Sequence, residues 1–314
     1  MQGLTNLGST CALNSLIQII CRNNYIRNSI INEPNINNSF TDELKEILIL
    51  MHNENKSLSP NKFINCFYNS FNDIFRKGEQ LDISELWFFI FNKIIEEISL
   101  PIKIKEKIYN IKEEHDLIIS KYNNNKSCKL LDNIQGSFIN IIECKKCKKR
   151  KYNFEPFINI QLDIINDNNP SIVEMLLNYL KIEERESDDF VCEFCNEKTK
   201  YIKTTKLWKI PNVICFVIKR FDNFHKKNNN SININDTLIF DKGSIYTSDI
   251  DIKYKLSSIA LHHGILDGGH YTSICNINNT YIHYDDTNIN EIKNMEEILI
   301  KNNLGYLVIY EIDK

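Results

Sequence analysis

Two short segments, Cys144-Lys145-Lys146-Cys147 and Cys192-Glu193-Phe194-Cys195, constrain this chain more than any other feature. Each is a C-x2-C knuckle, and four thiolates in two such pairs match a closed, tetrahedral, structural Zn2+ site. The intervening stretch, residues 148–191, is too long for a compact ribbon, so the fold must bring the knuckles together. The reading requires reduced thiols. The first 16 residues show no basic stretch followed by an apolar one, so no secretory signal is read there. No apolar run approaches the ~20 residues that span a bilayer, and no membrane partner is expected. An intracellular setting, cytoplasmic or nuclear, follows as the expectation, and clustered cysteines there suggest metal binding or catalysis before disulfides.

Lys145 to Lys151 is basic and raises a nucleic-acid reading. The formal net charge of -3 over 314 residues supplies no general field for a polyanion. The run is read instead as a solvated face at a hairpin tip, with no nucleic-acid partner.

Periodicity divides the chain. Up to residue ~125 it reads mainly as helices. Leu13, Leu16, Ile17 and Ile20 form one apolar stripe, with Ser9 or Thr10 as candidate caps. Leu44, Ile47, Leu48 and Met51 form another, and a third helix is expected over 83–98. Asn123-Asn124-Asn125 marks a boundary. Beyond it the pattern is strand-like over 136–143, 157–164, 209–219, 256–261, 271–277, 281–284 and 306–312, with one helix near 171–180 and a polar loop over 224–235. Helices first and strands later predict an α+β layout.

Three features point to nucleophilic chemistry. Cys11 stands at the start of the first helix, nearly opposite the apolar stripe on a wheel of about 100° per residue. A helix N-terminus favours an anion, which predicts a lowered thiol pKa. Asn6 shares a loop with Gly3 and Gly8; its amide could donate to an oxyanion or simply close an Asx turn. Gly268-Gly269-His270-Tyr271 leads into a strand, and Asn278-Asn279 supplies a two-residue turn. A hairpin centred there pairs residues whose numbers sum to 557, which sets Thr272 against Asp285 and makes His270 and Asp285 diagonal neighbours on one face. Asp286 then points to the opposite face by the period of two. A carboxylate can thus orient an imidazole that activates a thiol. Asp82-x-x-Glu85 opens the third helix as a variant capping box, or as carboxylates presented to a basic partner segment.

Together these segments resemble the ubiquitin-specific protease family of deubiquitinating cysteine peptidases. Gly3-Leu4-Thr5-Asn6-Leu7-Gly8-Ser9-Thr10-Cys11-Ala12-Leu13-Asn14-Ser15 is similar to the family's cysteine box. His262-His263-Gly264 through Gly268-Gly269-His270-Tyr271, then Tyr284-Asp285-Asp286, is similar to its histidine box. Gln80-Leu81-Asp82-Ile83-Ser84-Glu85 and Ile218-Lys219-Arg220-Phe221 resemble segments between them. The resemblance implies a papain-like cysteine peptidase fold with thumb, palm and zinc-bearing fingers. It implies one composite catalytic domain over 1–314: a helical thumb to about 125, a strand-rich palm from about 126, and fingers within about 136–220. By motif position Cys11 is the nucleophile, His270 the base and then acid, Asp285 its orienter, Asn6 the oxyanion amide and Asp286 an assistant. Gln80, Asp82, Glu85, Gly268, Gly269 and Tyr271 would bind substrate, and the loops 242–252 and 264–269 would flank its channel. Cys144, Cys147, Cys192 and Cys195 would hold the structural zinc.

The implied reaction is hydrolysis of the isopeptide or peptide bond after the C-terminal Gly-Gly of ubiquitin. Ubiquitin and ubiquitinated proteins are the implied partners of a monomeric enzyme open to regulatory partner proteins. A ubiquitin-binding pseudo-enzyme and the same chemistry on a ubiquitin-like modifier are the alternatives. Ala12 departs from the family's usual aromatic and Leu81 from its usual polar residue; neither is in the triad. A cysteine box beginning two residues into the chain is the pattern expected of a catalytic segment trimmed from a longer protein.

Overall fold

The computed structural model describes every residue except 1, 38, 54–56, 105–106, 166–167, 182, 186–190, 223–225, 242–244, 248–249, 266–267 and 314, and leaves aside the side chains of 52–53 and 183–185. Helices dominate the first part: α1 (Cys11–Arg22), α2 (Asn24–Ile31), α3 (Phe40–Asn53), α4 (Asn61–Ser70), α5 (Ile83–Ile98), α6 (Ile111–Tyr122) and α7 (Lys129–Ile134), with β1 (Leu100–Pro101) and β2 (Lys126–Ser127) forming a small ladder. The strands follow: β3 (Gly136–Cys144), β4 (Arg150–Phe157), β5 (Ile160–Asp163), β6 (Glu183–Arg185), β7 (Tyr201–Lys209), β8 (Val213–Lys219), β9 (Thr237–Phe240), β10 (Ile252–His263), β11 (His270–Ile277), β12 (Thr280–Asp285), β13 (Asn288–Glu291) and β14 (Gly305–Ile312). Among them lie α8 (Ile172–Tyr179) and α9 (Met295–Ile300). No helix among the described residues is long and apolar enough to cross a membrane.

The larger sheet has the order β13-β12-β11-β10-β14-β8-β5, with β9 beside β10. Its neighbours are antiparallel except β5 and β8. Side chains alternate across it, and each face has its own core. Val213, Cys215 and Val217 of β8 face a core shared with α1 to α5, whereas Ile214, Phe216 and Ile218 face one capped by α8. Burying both faces explains why β8 reads as a continuous apolar run. The smaller sheet, β4-β3-β7-β6, projects as the fingers. Its core of Ile139, Phe154 and Trp208 packs under α6. There the buried His115 of α6 lies 2.9 Å from both Asp116 Oδ1 and Ser137 Oγ, tying the helix to β3.

The helix expected over about 83–98 is α5. The helix near 171–180 is α8, closed by a full capping box between Ser171 and Glu174. The basic run hides a strand: Arg150 and Lys151 begin β4. Arg150 pairs with Glu143, Lys151 with Glu193 and Lys146 with Glu197, while Lys149 sits over the Phe194 ring. Three of the six basic residues from Lys145 to Lys151 are thereby matched by carboxylates. The loops expected at 242–252 and 264–269, and the loop 224–235, lie partly outside the described residues.

Candidate active site and metal centre

α1 is buried along its whole length from Cys11 to Cys21. The apolar stripe meets α2, α3 and α5, while the opposite side packs on β11. Cys11 is therefore 3% exposed although it faces away from the stripe. Its Sγ accepts a hydrogen bond from Tyr271 N at 3.5 Å. The expected depression of the thiol pKa is not what results. Burial pushes it above its ordinary value, the negative charge of Asp286 adds to that, and the backbone N–H groups of Tyr271, Ala12 and Cys11 pull only partly the other way. The helix N-terminus acts with the expected sign, but desolvation is the larger effect. Thr10 is the N-cap residue without capping through its side chain. Its hydroxyl instead lies 3.0 Å from Leu7 N and 3.2 Å from Asn6 Oδ1.

The β11–β12 hairpin adopts the register set by a centred turn: Ser273 stands opposite Tyr284 and Ile277 opposite Thr280. Asn278 and Asn279 have φ of 53° and 67°, as a two-residue turn with left-handed central residues requires. His270 Nε2 and Asp285 Oδ1 are 2.7 Å apart. This bond leaves Nδ1 as the ring nitrogen free for a proton. Asp286 departs from the expected facing. The strand ends at Asp285, and Asp286 has φ of 50°, so the two-residue period no longer applies to it. Its carboxylate turns back, and His270, Asp285 and Asp286 offer ligand atoms all within 4.8 Å of one another.

Asp286 joins two amides. Its Oδ2 accepts from Asn6 Nδ2 at 2.9 Å and its Oδ1 from Asn14 Nδ2 at 2.8 Å. Asn6 Oδ1 accepts from Gly8 N at 3.0 Å and Thr10 N at 3.2 Å. The loop-closing reading of Asn6 is met by its oxygen, and its NH2, on an exposed residue, donates to Asp286.

Beside this centre runs an open groove of about 760 Å³ lined by Gly78 to Asp82, Ser84, Glu85, His262, Tyr271 and Tyr306. Ser9 Oγ donates to Gly78 O at 3.1 Å and ties the cysteine loop to the groove wall. Asp82 caps α5 by accepting from Ser84 N at 2.7 Å and Glu85 N at 3.1 Å. Its other oxygen accepts from Tyr306 OH at 2.6 Å and Tyr271 OH at 3.4 Å. Glu85 is exposed at the rim. Desolvation, then repulsion from Asp82, raises its carboxyl pKa. Gln80 is exposed on the groove, and Leu81 is buried in the core beneath it. Gly269 packs so closely on the His262 ring that a Cβ would sit 2.1 Å from Nε2. At Gly268 a Cβ would meet only the Ile265 side chain, 3.7 Å away and in ordinary van der Waals contact. Sequence reasoning assigned no role to Asn14, His262 or Tyr306. Tyr306 lies in β14, 35 residues after Tyr271, and the β10–β14 pairing brings it to the groove.

At the finger tip the two knuckles repeat one backbone pattern. Lys148 N donates to Cys144 O and Cys144 N to Lys149 O; Asn196 N donates to Cys192 O and Cys192 N to Glu197 O. Lys148 and Asn196 both have positive φ, 61° and 55°. The β3–β7 ladder ends at Cys144 opposite Tyr201 and brings the second knuckle against the first. All four sulfurs lie within 4.8 Å of one another, with Cys147 Sγ and Cys192 Sγ 3.7 Å apart. Sulfurs at the corners of a tetrahedron with bonds of ~2.3 Å stand roughly 3.8 Å apart. The donor set and its spacing fit a tetrahedral metal ion.

A helix-borne thiol set against a His–Asp pair on an antiparallel sheet, with zinc-type fingers, is the layout of a papain-like cysteine peptidase. The family model described as ubiquitin carboxyl-terminal hydrolase matches residues 2–310, and the chain belongs to that family. It is 23% identical to ubiquitin carboxyl-terminal hydrolase 4 of Eremothecium gossypii, over 98% of this chain and 42% of that protein. It is 26% identical to ubiquitin carboxyl-terminal hydrolase 8 of Saccharomyces cerevisiae, over 99% of this chain and 70% of that protein. The chain thus spans less than half the length of the first of these relatives. Among solved structures it resembles the yeast SAGA DUB module with an Sgf73 mutant, at 26% identity and TM-score 0.77, covering 100% of this chain and 69% of that one. The SAGA Ubp8/Sgf11/Sus1/Sgf73 DUB module bound to ubiquitin aldehyde shares the fold at 24% identity and TM-score 0.79, covering 100% of this chain and 70% of that one.

Proposed function

We propose that this chain is a thiol-dependent deubiquitinase that hydrolyses the isopeptide or peptide bond after the C-terminal Gly-Gly of ubiquitin. The carrying observation is the 2.7 Å His270–Asp285 pair on the hairpin whose next residue, Tyr271, donates to Cys11 Sγ. In this reading Asp285 holds Nε2–H, and Nδ1 takes the proton of the Cys11 thiol as sulfur attacks the scissile carbonyl. The second hydrogen of Asn6 Nδ2 receives the oxyanion, with Asp286 holding the amide in orientation. The imidazolium then protonates the departing amine. A water, deprotonated by His270, releases the ubiquitin carboxylate and restores the thiol. Because burial raises the Cys11 thiol, transfer of its proton to His270 accompanies the attack.

The groove would take the ubiquitin tail as an extended strand, with Gln80, Asp82 and Glu85 on one side and Gly268, Gly269 and Tyr271 on the other. Negative charge at Asp82 and Glu85 suits a basic tail. The four cysteines would hold a structural Zn2+ that fixes the finger tip. The whole chain, 1–314, is read as one composite catalytic domain, with thumb to about 125, palm beyond, and fingers within about 136–220. The core shared between the helices and one face of the larger sheet supports that reading. Ubiquitin and ubiquitinated proteins are the proposed partners of a monomeric enzyme, with regulatory proteins able to bind it, in the cytoplasm or nucleus. The solved relatives, described as parts of a multi-protein DUB module, support such partners.

An electrophilic probe built on the ubiquitin C-terminus tests the function. Labelling at Cys11, lost in Cys11→Ala, is expected. Ubiquitin binding without labelling would mean a pseudo-enzyme, and preferential labelling by a ubiquitin-like modifier's probe would redirect the substrate assignment.

A further inference from the structure

We infer that Asn14 is a positioning residue for the oxyanion side of the site: its buried amide holds the Asp286 carboxylate where that group orients Asn6. This rests on the roles just proposed for Asn6 and Asp286. Asn14 lies three residues after Cys11, on the same side of α1, and is 2% exposed. Its Nδ2 donates to Asp286 Oδ1 at 2.8 Å and approaches Thr5 O and Leu4 O only at 3.4 and 3.5 Å. The carboxylate is its principal partner.

The backbone and the side chain of Asp286 are held separately. Its left-handed backbone is uncommon for a residue other than glycine. Leu4 N secures it by donating to Asp286 O at 2.8 Å. Gly3 lies against the same turn so closely that a Cβ would fall 2.5 Å from Thr287 O and 2.7 Å from Asp286 O. None of these contacts fixes the carboxylate. Its recorded hydrogen bonds among the described residues come from Asn14 on one oxygen and Asn6 on the other. Asn6 is exposed and Asn14 buried, so Asn14 is the fixed end and Asn6 the end being aimed. Without Asn14 the carboxylate can rotate toward water, and the Asn6 amide loses the anchor that points its NH2 at the oxyanion. Among the described residues, no hydrogen bond of the Asn14 amide or the Asp286 carboxylate goes to a residue lining the groove, so substrate binding should be spared.

The test is a double-mutant cycle with Asn14→Ala, Asp286→Ala and the pair, using Asn14→Ser as a second route should the Ala variant fold poorly. A buried serine can satisfy itself on the preceding turn's carbonyl but is too short to reach Asp286. On a fluorogenic ubiquitin C-terminal substrate, Asn14→Ala should lower kcat by roughly 10-fold with KM held within about 2-fold, and the pair should be no slower than Asp286→Ala alone. Multiplicative losses, or a loss carried in KM, overturn the inference. A second readout needs no turnover: alkylation of Cys11 by iodoacetamide against pH, read by peptide mass spectrometry. Because the Asp286 charge adds to burial in raising the thiol, both single variants should move this profile to lower pH, and the pair should move it no further than Asp286→Ala. An unmoved profile in Asn14→Ala overturns the positioning role. A wild type that alkylates in this way but does not cleave ubiquitin refutes the deubiquitinase reading, and the alkylation cycle still decides the role of Asn14.

Discussion

Asp82 both caps α5 and anchors Tyr306, and removing it tests the two roles together. Asp82→Ala deletes the acceptor for Ser84 N and Glu85 N at the start of α5, which costs about 1 kcal/mol, within a range of ~0.5–2. It also leaves the Tyr306 hydroxyl, on a residue 8% exposed, without its 2.6 Å partner. An orphaned buried hydroxyl costs about 1–3 kcal/mol. The 3.4 Å contact from Tyr271 OH adds little. The sum is a loss of roughly 2–4 kcal/mol. Denaturant titration followed by tryptophan fluorescence measures it, because Trp87 of α5 is fully buried with Nε1 donating to Ile158 O at 3.1 Å. Tyr306→Phe in the Asp82→Ala background removes the orphaned group, so the pair should be milder than the sum of the singles by about 1–2 kcal/mol. Asp82→Asn keeps a capping oxygen and should stay near wild-type stability while weakening ubiquitin binding through the lost charge. A loss below about 0.5 kcal/mol for Asp82→Ala, or additive singles, would refute the assignment of Asp82 as both cap and tyrosine anchor.

Removing metal should act on the fingers first: a strong chelator is expected to withdraw about one zinc per chain and change the Trp208 signal before that of Trp87. A metal-free protein of full stability would contradict the four-thiolate site. Acid should weaken the fold through histidine. Burial, then Lys227, holds His262 down at about 4, and burial also lowers His115, His263 and His283. Between the unfolded value near 6.5 and about 4, the unfolded chain binds a proton that native His262 does not. Stability therefore falls as pH drops through that window, by up to ~1.4 kcal/mol per unit and about 3 in total for this one group. Stability measured at pH 6.5, 5.5 and 4.5 should fall less steeply in His262→Asn, and parallel slopes would show that His262 is not the proton acceptor.

Much of the site was legible because its determinants are local. The hairpin register followed from Asn278-Asn279 and the two-residue period, and His270 and Asp285 met as that geometry required. Asp82 was readable as a cap because a cap satisfies N–H groups two and three residues away. Other features failed for one shared reason. The wheel placed Cys11 away from its stripe, but the other side of α1 is covered by β11, some 260 residues distant, so burial raised the thiol where the helix N-terminus alone would have lowered it. Asp286 escaped the alternation rule because Leu4 and Gly3 pin it in a turn. His262 and Tyr306 reach the groove through pairing of β10 with β11 and β14, which leaves no mark in either segment.

The sequence by itself thus determined where helices start, how the hairpin pairs, and that four thiols would seek one metal. These are interactions between near neighbours, or between ligands whose chemistry demands a common partner. Only the tertiary structure decided the burial of Cys11, the direction of Asp286 and the walls of the groove. Desolvation and packing depend on what arrives from elsewhere in the chain, and no short window of residues carries that information.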